Sequence, residues 1–191
     1  MRIIAGRFRG LGLANVGKGD AGAHLRPTTD RVRESLFSML TGGRFGDPIS
    51  DARVLDLFAG TGALGLESLS RGAAHVTFVD DGRKALSLIR ENIAKCRCAD
   101  QATIIKRDAT RLGAGQPHDL IFLDPPYGKG LGEKALTTAI TGGWLAPDAL
   151  IVWEEDTAIT PPDSIAVLDT RRYGDTTISV CAFQPDQSQV G

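Results

Sequence analysis

Apolar positions along this chain follow two periods, and the changes of period mark its elements. Beyond residue 51, short apolar runs such as "ARVLDLF", "HVTFVD", "ATIIK" and "DLIFLD" alternate with stretches in which apolar residues recur every three or four positions. Short continuous runs are the pattern of strands buried on both faces, and the three-to-four spacing is that of a helix with one buried face. The pattern predicts strands over 52–58, 74–80, 101–106, 118–124 and 148–154, and helices near 63–71, 82–96 and 132–141.

The ends of the chain read differently. "RIIAGRFRGLGLA" breaks β-type runs with glycine and predicts a small hairpin, followed by the polar, Gly-rich loop "NVGKGDAGAH". In "RPTTDRVRESLFSML" the period becomes helical behind a Pro-Thr-Thr start. Near the C-terminus two β-type runs meet at Gly174-Asp175, a hairpin signal. Alternating strands and helices imply a doubly wound α/β body with a mostly parallel sheet, here finished by an antiparallel hairpin to make seven strands. The division expected is a basic extension over 1–45, a catalytic body over 46–185 and a disordered tail over 186–191.

Composition narrows the class. With 191 residues, 42% hydrophobic and 24% charged, the chain suits one globular domain with an appendage. No apolar stretch approaches the roughly 20 residues of a membrane span, so a cytoplasmic monomer without a membrane partner is expected. Three cysteines without a CxxC pair and three scattered histidines suit neither a disulfide framework nor a metal site. The net charge of −1 hides an asymmetry: residues 1–33 carry +5 and the remainder −6. A basic arm on an acidic body suits a nucleic-acid partner, with Arg2, Arg7, Arg9, Arg26 and Arg31 as candidate phosphate contacts.

Four candidate sites close successive strands. Gly60, Gly62 and Gly65 form G-x-G-x-x-G between a strand and a helix, so the turn formed by Phe58, Ala59, Gly60, Thr61 and Gly62 is placed to cradle a cofactor. Asp80, 20 residues beyond Gly60 with Asp81 beside it, can accept from both ribose hydroxyls of an adenosine. Asp108, followed by Ala109, can accept from an adenine amine or cap a helix. Asp124 opens "DPPY" at the end of the fourth strand. Ligands of open parallel sheets bind at the carboxyl ends of the strands, so these features converge on one edge.

Asp56 discriminates between cofactors. A carboxylate there repels a pyrophosphate but attracts the ammonium and sulfonium of S-adenosylmethionine. "DPPY" suits methylation of an exocyclic base amine, whose lone pair is delocalised into its ring. The Asp124 carboxylate and the Pro125 carbonyl can hold the two N–H groups and aim the nitrogen lone pair, and Asp124 can stabilise the charge that develops. Pro126 keeps the turn rigid, and Tyr127 can stack on the base through its ring, which makes its hydroxyl dispensable.

These residues carry a resemblance. "VLDLFAGTGALGLESLSRGA", "LDPPYGKG" and "RPTTDRVRESLF" together resemble the RsmD-type guanine-N2-methyltransferases of 16S ribosomal RNA, over about Arg2 to Glu155. The resemblance implies a Rossmann-like class I methyltransferase fold, S-adenosylmethionine as donor, and ribosomal RNA, within a small-subunit particle, as acceptor. It implies catalysis by Asp124, Pro125, Pro126 and Tyr127, donor contacts at Gly60, Gly62, Asp80 and Asp108, and a carboxylate or phosphate contact at Arg26, Thr28 and Arg31. Adenine-N6 methylation satisfies the same turn, glutamine-N5 methylation suits a basic arm less well, and a NAD-dependent oxidoreductase leaves Asp56 and "DPPY" unexplained. A non-catalytic RNA-binding module needs none of the four edge sites.

Overall fold

A computed structural model of the chain describes residues 1–14 and 29–185. The Gly-rich stretch 15–24, Arg26, Thr28 and the tail 186–191 lie outside the described residues. In chain order the elements are α1 (Asp30–Leu40), β1 (Arg53–Leu57), α2 (Ala63–Ser70), β2 (His75–Asp80), α3 (Arg83–Cys96), β3 (Ala102–Lys106), β4 (His118–Leu123), α4 (Leu131–Thr141), β5 (Leu145–Glu155), β6 (Ile165–Tyr173) and β7 (Thr176–Phe183).

The strands form one sheet in the order β3-β2-β1-β4-β5-β7-β6. The first five are parallel and β7 runs antiparallel between β5 and β6, the architecture expected from the sequence. Side chains alternate between two cores, as the strand period of two requires. Val54, Phe78, Leu120, Phe122 and Val152 face α1, α2 and α3, whereas Leu55, Leu57, Ile121, Leu123 and Trp153 face α4. β5 begins at Leu145, three residues before the expected start. Pro147 is accommodated because the β4–β5 register shifts between His118 and Leu120, with Asp148 at φ 61°.

The N-terminal arm docks on α2 through side chains the hydrophobic pattern does not announce. Its two limbs share a single antiparallel bridge, Arg2 with Gly12, and between Ile4 and Phe8 four amides turn to α2 instead of to the opposite limb. The amides of Ile4 and Ala5 donate to the Glu67 carboxylate at 2.7 and 3.0 Å, and those of Arg7 and Phe8 donate to Ser70. Glu67 also accepts from Arg71 and lies 3.7 Å from Arg33, whose guanidinium is fully buried and donates to Asp30 and to the Arg2 carbonyl. A buried carboxylate and a buried guanidinium thus replace apolar packing where arm, α1 and α2 meet, each charge held by several partners.

Candidate active site

Strand register brings the acids together. Leu57 pairs with Leu123, and Leu123 pairs with Trp153, so one step further Asp124 comes level with Glu154 at the carboxyl edge. Asp56, Asp124 and Glu154 share the parity of Val54, Phe122 and Val152, so all three project toward the α2 face. Asp80 closes the neighbouring β2.

The turn after β1 holds its shape by left-handed residues. Phe58 stands at φ 57° and Gly62 at φ 76°, and Gly62 is the N-cap of α2. A non-glycine residue in that region stores strain that the surrounding contacts must hold. Gly65 serves packing: a Cβ there would come within 2.5 Å of the Phe78 ring and 2.7 Å of Val76 Cγ1. Its N–H donates to Asp56 Oδ2 over 3.0 Å. Asp80 Oδ2 accepts from Gly60 N at 2.9 Å and Oδ1 accepts from Gly82 N at 2.8 Å. Each Asp80 oxygen keeps a second lone pair, while Asp81 faces solvent. Asp108 Oδ1 accepts from the amide and hydroxyl of Thr110, capping the 3-10 turn Ala109–Arg111, which is the capping alternative read from the sequence.

Crowding these carboxyls in a poorly solvated edge raises their pKa values. Burial pushes Asp56 up to about 8; the Gly65 N–H opposes this and the Asp80 charge adds to it. Burial, then Glu154, Asp56 and Glu155, hold Asp124 well above the ordinary carboxylate range. Asp80 is raised chiefly by burial, and Glu155 rises to about 7 for the same first reason. The Thr110 hydrogen bonds hold Asp108 below its usual value.

Tyr127 is anchored at both ends. Its backbone follows Pro125 and Pro126, and its hydroxyl donates to Glu154 Oε1 at 2.9 Å with Thr176 Oγ1 3.1 Å away. The residue after it, Gly128, turns its N–H toward Glu155 and opposes the rise of that acid's pKa. Two successive acids of β5 therefore grip the turn that β4 delivers. Neither acid nor Thr176 was singled out by sequence reasoning. Both acids end a strand at the same edge as Asp124, and that was the available signal.

The arginines divide. Arg2, Arg7, Arg9 and Arg31 are all exposed, but they do not share a location. The Arg7 amide donates to the carbonyl of Ser70, the last residue of α2, and its guanidinium donates to Gln101, just ahead of β3. The tip of the arm therefore lies at the amino edge of the sheet, about 12 Å of helix away from the glycine turn. Arg2 lies beside Asp30 at the other end of the arm.

Comparison with known proteins places this arrangement. A family model described as "Conserved hypothetical protein 95" matches residues 1–182. Ribosomal RNA small subunit methyltransferase D of Escherichia coli strain K12 is 41% identical over 158 residues, which cover 82% of this chain and 75% of that protein. A putative rRNA methyltransferase YlbH of Bacillus subtilis is 39% identical over 189 residues, covering 94% and 97%. The solved structure of a putative methyltransferase yhhF from Escherichia coli superposes with a TM-score of 0.83 at 34% identity, covering 97% of this chain and 99% of that one.

Proposed function

We propose that this chain, which belongs to the RsmD family described as Conserved hypothetical protein 95, transfers a methyl group from S-adenosylmethionine to the exocyclic N2 amine of a guanine in 16S ribosomal RNA. The observation that carries the chemistry is Asp124-Pro125-Pro126-Tyr127 closing β4 level with Glu154 and one strand from Asp56. The residues fit the donor. A buried acid at Asp56 suits a cationic ligand, Gly60 and Gly62 present bare backbone at two positions of the turn, and Asp80 retains lone pairs for ribose hydroxyls. Phe58, Ala59, Thr61, Asp108 and Ala109 complete the proposed donor contacts.

When bound, the donor supplies an electrophilic methyl on a sulfonium centre. Asp124 and the Pro125 carbonyl accept the two N–H groups of the guanine amine, which turns its lone pair out of conjugation and toward that methyl. Transfer of that methyl to the amine would leave the demethylated donor and a positive nitrogen, whose charge an ionised Asp124 would stabilise until the extra N–H proton passes to water. Tyr127, held by Glu154, presents its ring to the base. Arg2, Arg7, Arg9, Arg26 and Arg31 are the proposed RNA contacts. The same proposal has the chain working as a cytoplasmic monomer on a small-subunit particle, without a metal.

The test is methyl transfer from labelled S-adenosylmethionine to small-subunit particles from methylation-deficient cells, with the product nucleoside identified by mass spectrometry. N2-methylguanosine is expected. N6-methyladenosine, or no transfer to RNA, overturns the proposal.

A further inference from the structure

Asn92 occupies a core position on the apolar face of α3, between Ile89 and Ile93, where a hydrophobic residue would satisfy the helical pattern. It is fully buried. Both of its N–H groups and its oxygen are engaged: Oδ1 accepts from Ala14 N at 2.7 Å, and Nδ2 donates to the Ala14 carbonyl at 3.1 Å and to the Thr61 carbonyl at 2.9 Å. Thr61 stands between Gly60 and Gly62 in the glycine turn. Ala14 ends the described part of the arm, on the limb that leads toward Arg26. A second contact joins the arm to the same turn: Thr61 Oγ1 donates to Met1 Sδ at 3.8 Å.

We infer that Asn92 is a positioning residue that couples the N-terminal arm to the donor-binding turn, so that an ordered arm and a bound donor favour one another. A buried amide making three hydrogen bonds has no water to replace them, so displacing Thr61 or Ala14 leaves a polar group unpaired. Whatever fixes the Thr61 carbonyl therefore also favours the docked conformation of Ala14. Linkage makes the effect reciprocal: an RNA that orders the arm tightens donor binding by the same factor that donor tightens RNA binding. The inference rests on the methyltransferase reading above, because it assigns the glycine turn to the donor and the arm to RNA.

The test uses S-adenosylhomocysteine, the demethylated donor, and reads amide hydrogen exchange at Ala14 together with calorimetric affinity. In the wild type, saturating ligand is expected to slow exchange at Ala14 by about fivefold or more, the lower end of ordinary coupling. In Asn92→Ala the ligand should bind more weakly and, at saturation, leave Ala14 exchange unchanged. Asn92→Asp is the second variant: it keeps the acceptor for the Ala14 amide and loses the donors to the Ala14 and Thr61 carbonyls, so it should also lose the response. A residue with only a structural role would lower the melting temperature and leave the ligand-induced protection intact, which overturns the inference. So does a wild type that binds ligand without any change at Ala14. Failure to bind S-adenosylhomocysteine at all is a different result and overturns the methyltransferase reading itself.

Discussion

The Tyr127 hydroxyl donates to Glu154 Oε1 over 2.9 Å, tying the far end of the aromatic ring to β5. Stacking alone would make a phenylalanine equivalent at this position. The hydrogen bond makes it inferior, because the ring loses the anchor that sets its plane. Tyr127→Phe is expected to lower kcat/KM by about five- to tenfold, corresponding to roughly 1–1.5 kcal/mol for one missing hydrogen bond. Steady-state kinetics beside S-adenosylhomocysteine calorimetry reads this, and donor affinity should not move. Kinetics equal to wild type would show an idle hydroxyl.

Asp124 must be ionised to stabilise a positive nitrogen, and its neighbours hold its pKa well above the usual range. Below that raised pKa the group is a neutral acid, so activity should climb with pH along an acid limb displaced upward from ordinary carboxylates. Asp124→Asn should abolish this limb together with nearly all turnover, while donor binding persists. A pH–rate profile of the wild type and turnover of the variant provide the check. An Asn variant with more than about half of wild-type turnover would remove Asp124 from the mechanism.

Asp56, with its pKa of about 8, is protonated in the folded protein near neutrality, whereas the unfolded chain has released that proton. A folded pKa raised above the unfolded one means that the folded state binds more protons, so stability falls as pH rises from about 4 to about 8. Asp56→Asn should flatten that decline in a series of denaturant melts. A cationic ligand beside Asp56 favours the carboxylate, so donor binding at pH 7 should expel a fraction of a proton. Calorimetry in buffers of different ionisation enthalpy measures the release, and buffer-independent heats would show that Asp56 does not face the donor's charge.

The arginines of the arm make a salt-dependent prediction. Replacing Arg2, Arg7 and Arg9 with Ala should reduce the dependence of log K on log salt by about 0.7 for each phosphate no longer neutralised, the value for single strands. Because Arg7 sits at the amino edge of the sheet and Arg2 beside Asp30, the single variants should separate near contacts from remote ones. A short RNA carrying only the target nucleotide should be sensitive to Arg2→Ala and indifferent to Arg7→Ala. Salt titrations of each variant check this, and superimposable curves for wild type and triple variant would remove the arm from RNA binding.

Asp56, Asp80, Asp108 and Asp124 are legible in the sequence for one reason: each stands within or just beyond an apolar run, and parallel strands carry such residues to a common edge. Glu154 and Glu155 obey the same rule but stand in no recognisable spacing. Thr176 meets Tyr127, 49 residues away, only because β7 pairs with β5, a partnership that no local pattern encodes. The arm shows the limit of charge counting. Its +5 is visible in the letters, but Arg33 is buried against Glu67, and the position of Arg7 depends on where Ser70 comes to lie. Asn92 reads as an exception to a hydrophobic stripe, and the exception becomes intelligible only when its two partners are seen.

Glu67 lies 63 residues after the Ile4 amide that it satisfies. A chain made from its N-terminus therefore presents the arm long before α2 exists to receive it, and bringing the two together means closing a loop of that length, which disfavours early contact. The arm is thus a late-forming layer, laid over a helix and a glycine turn that are already in place. Local opening should run in the reverse order, with the Ile4 and Ala5 amides exchanging well ahead of those in β1 and β4. A nascent or partly unfolded molecule accordingly has no organised arm, and acquires one only when the framework around the glycine turn is complete.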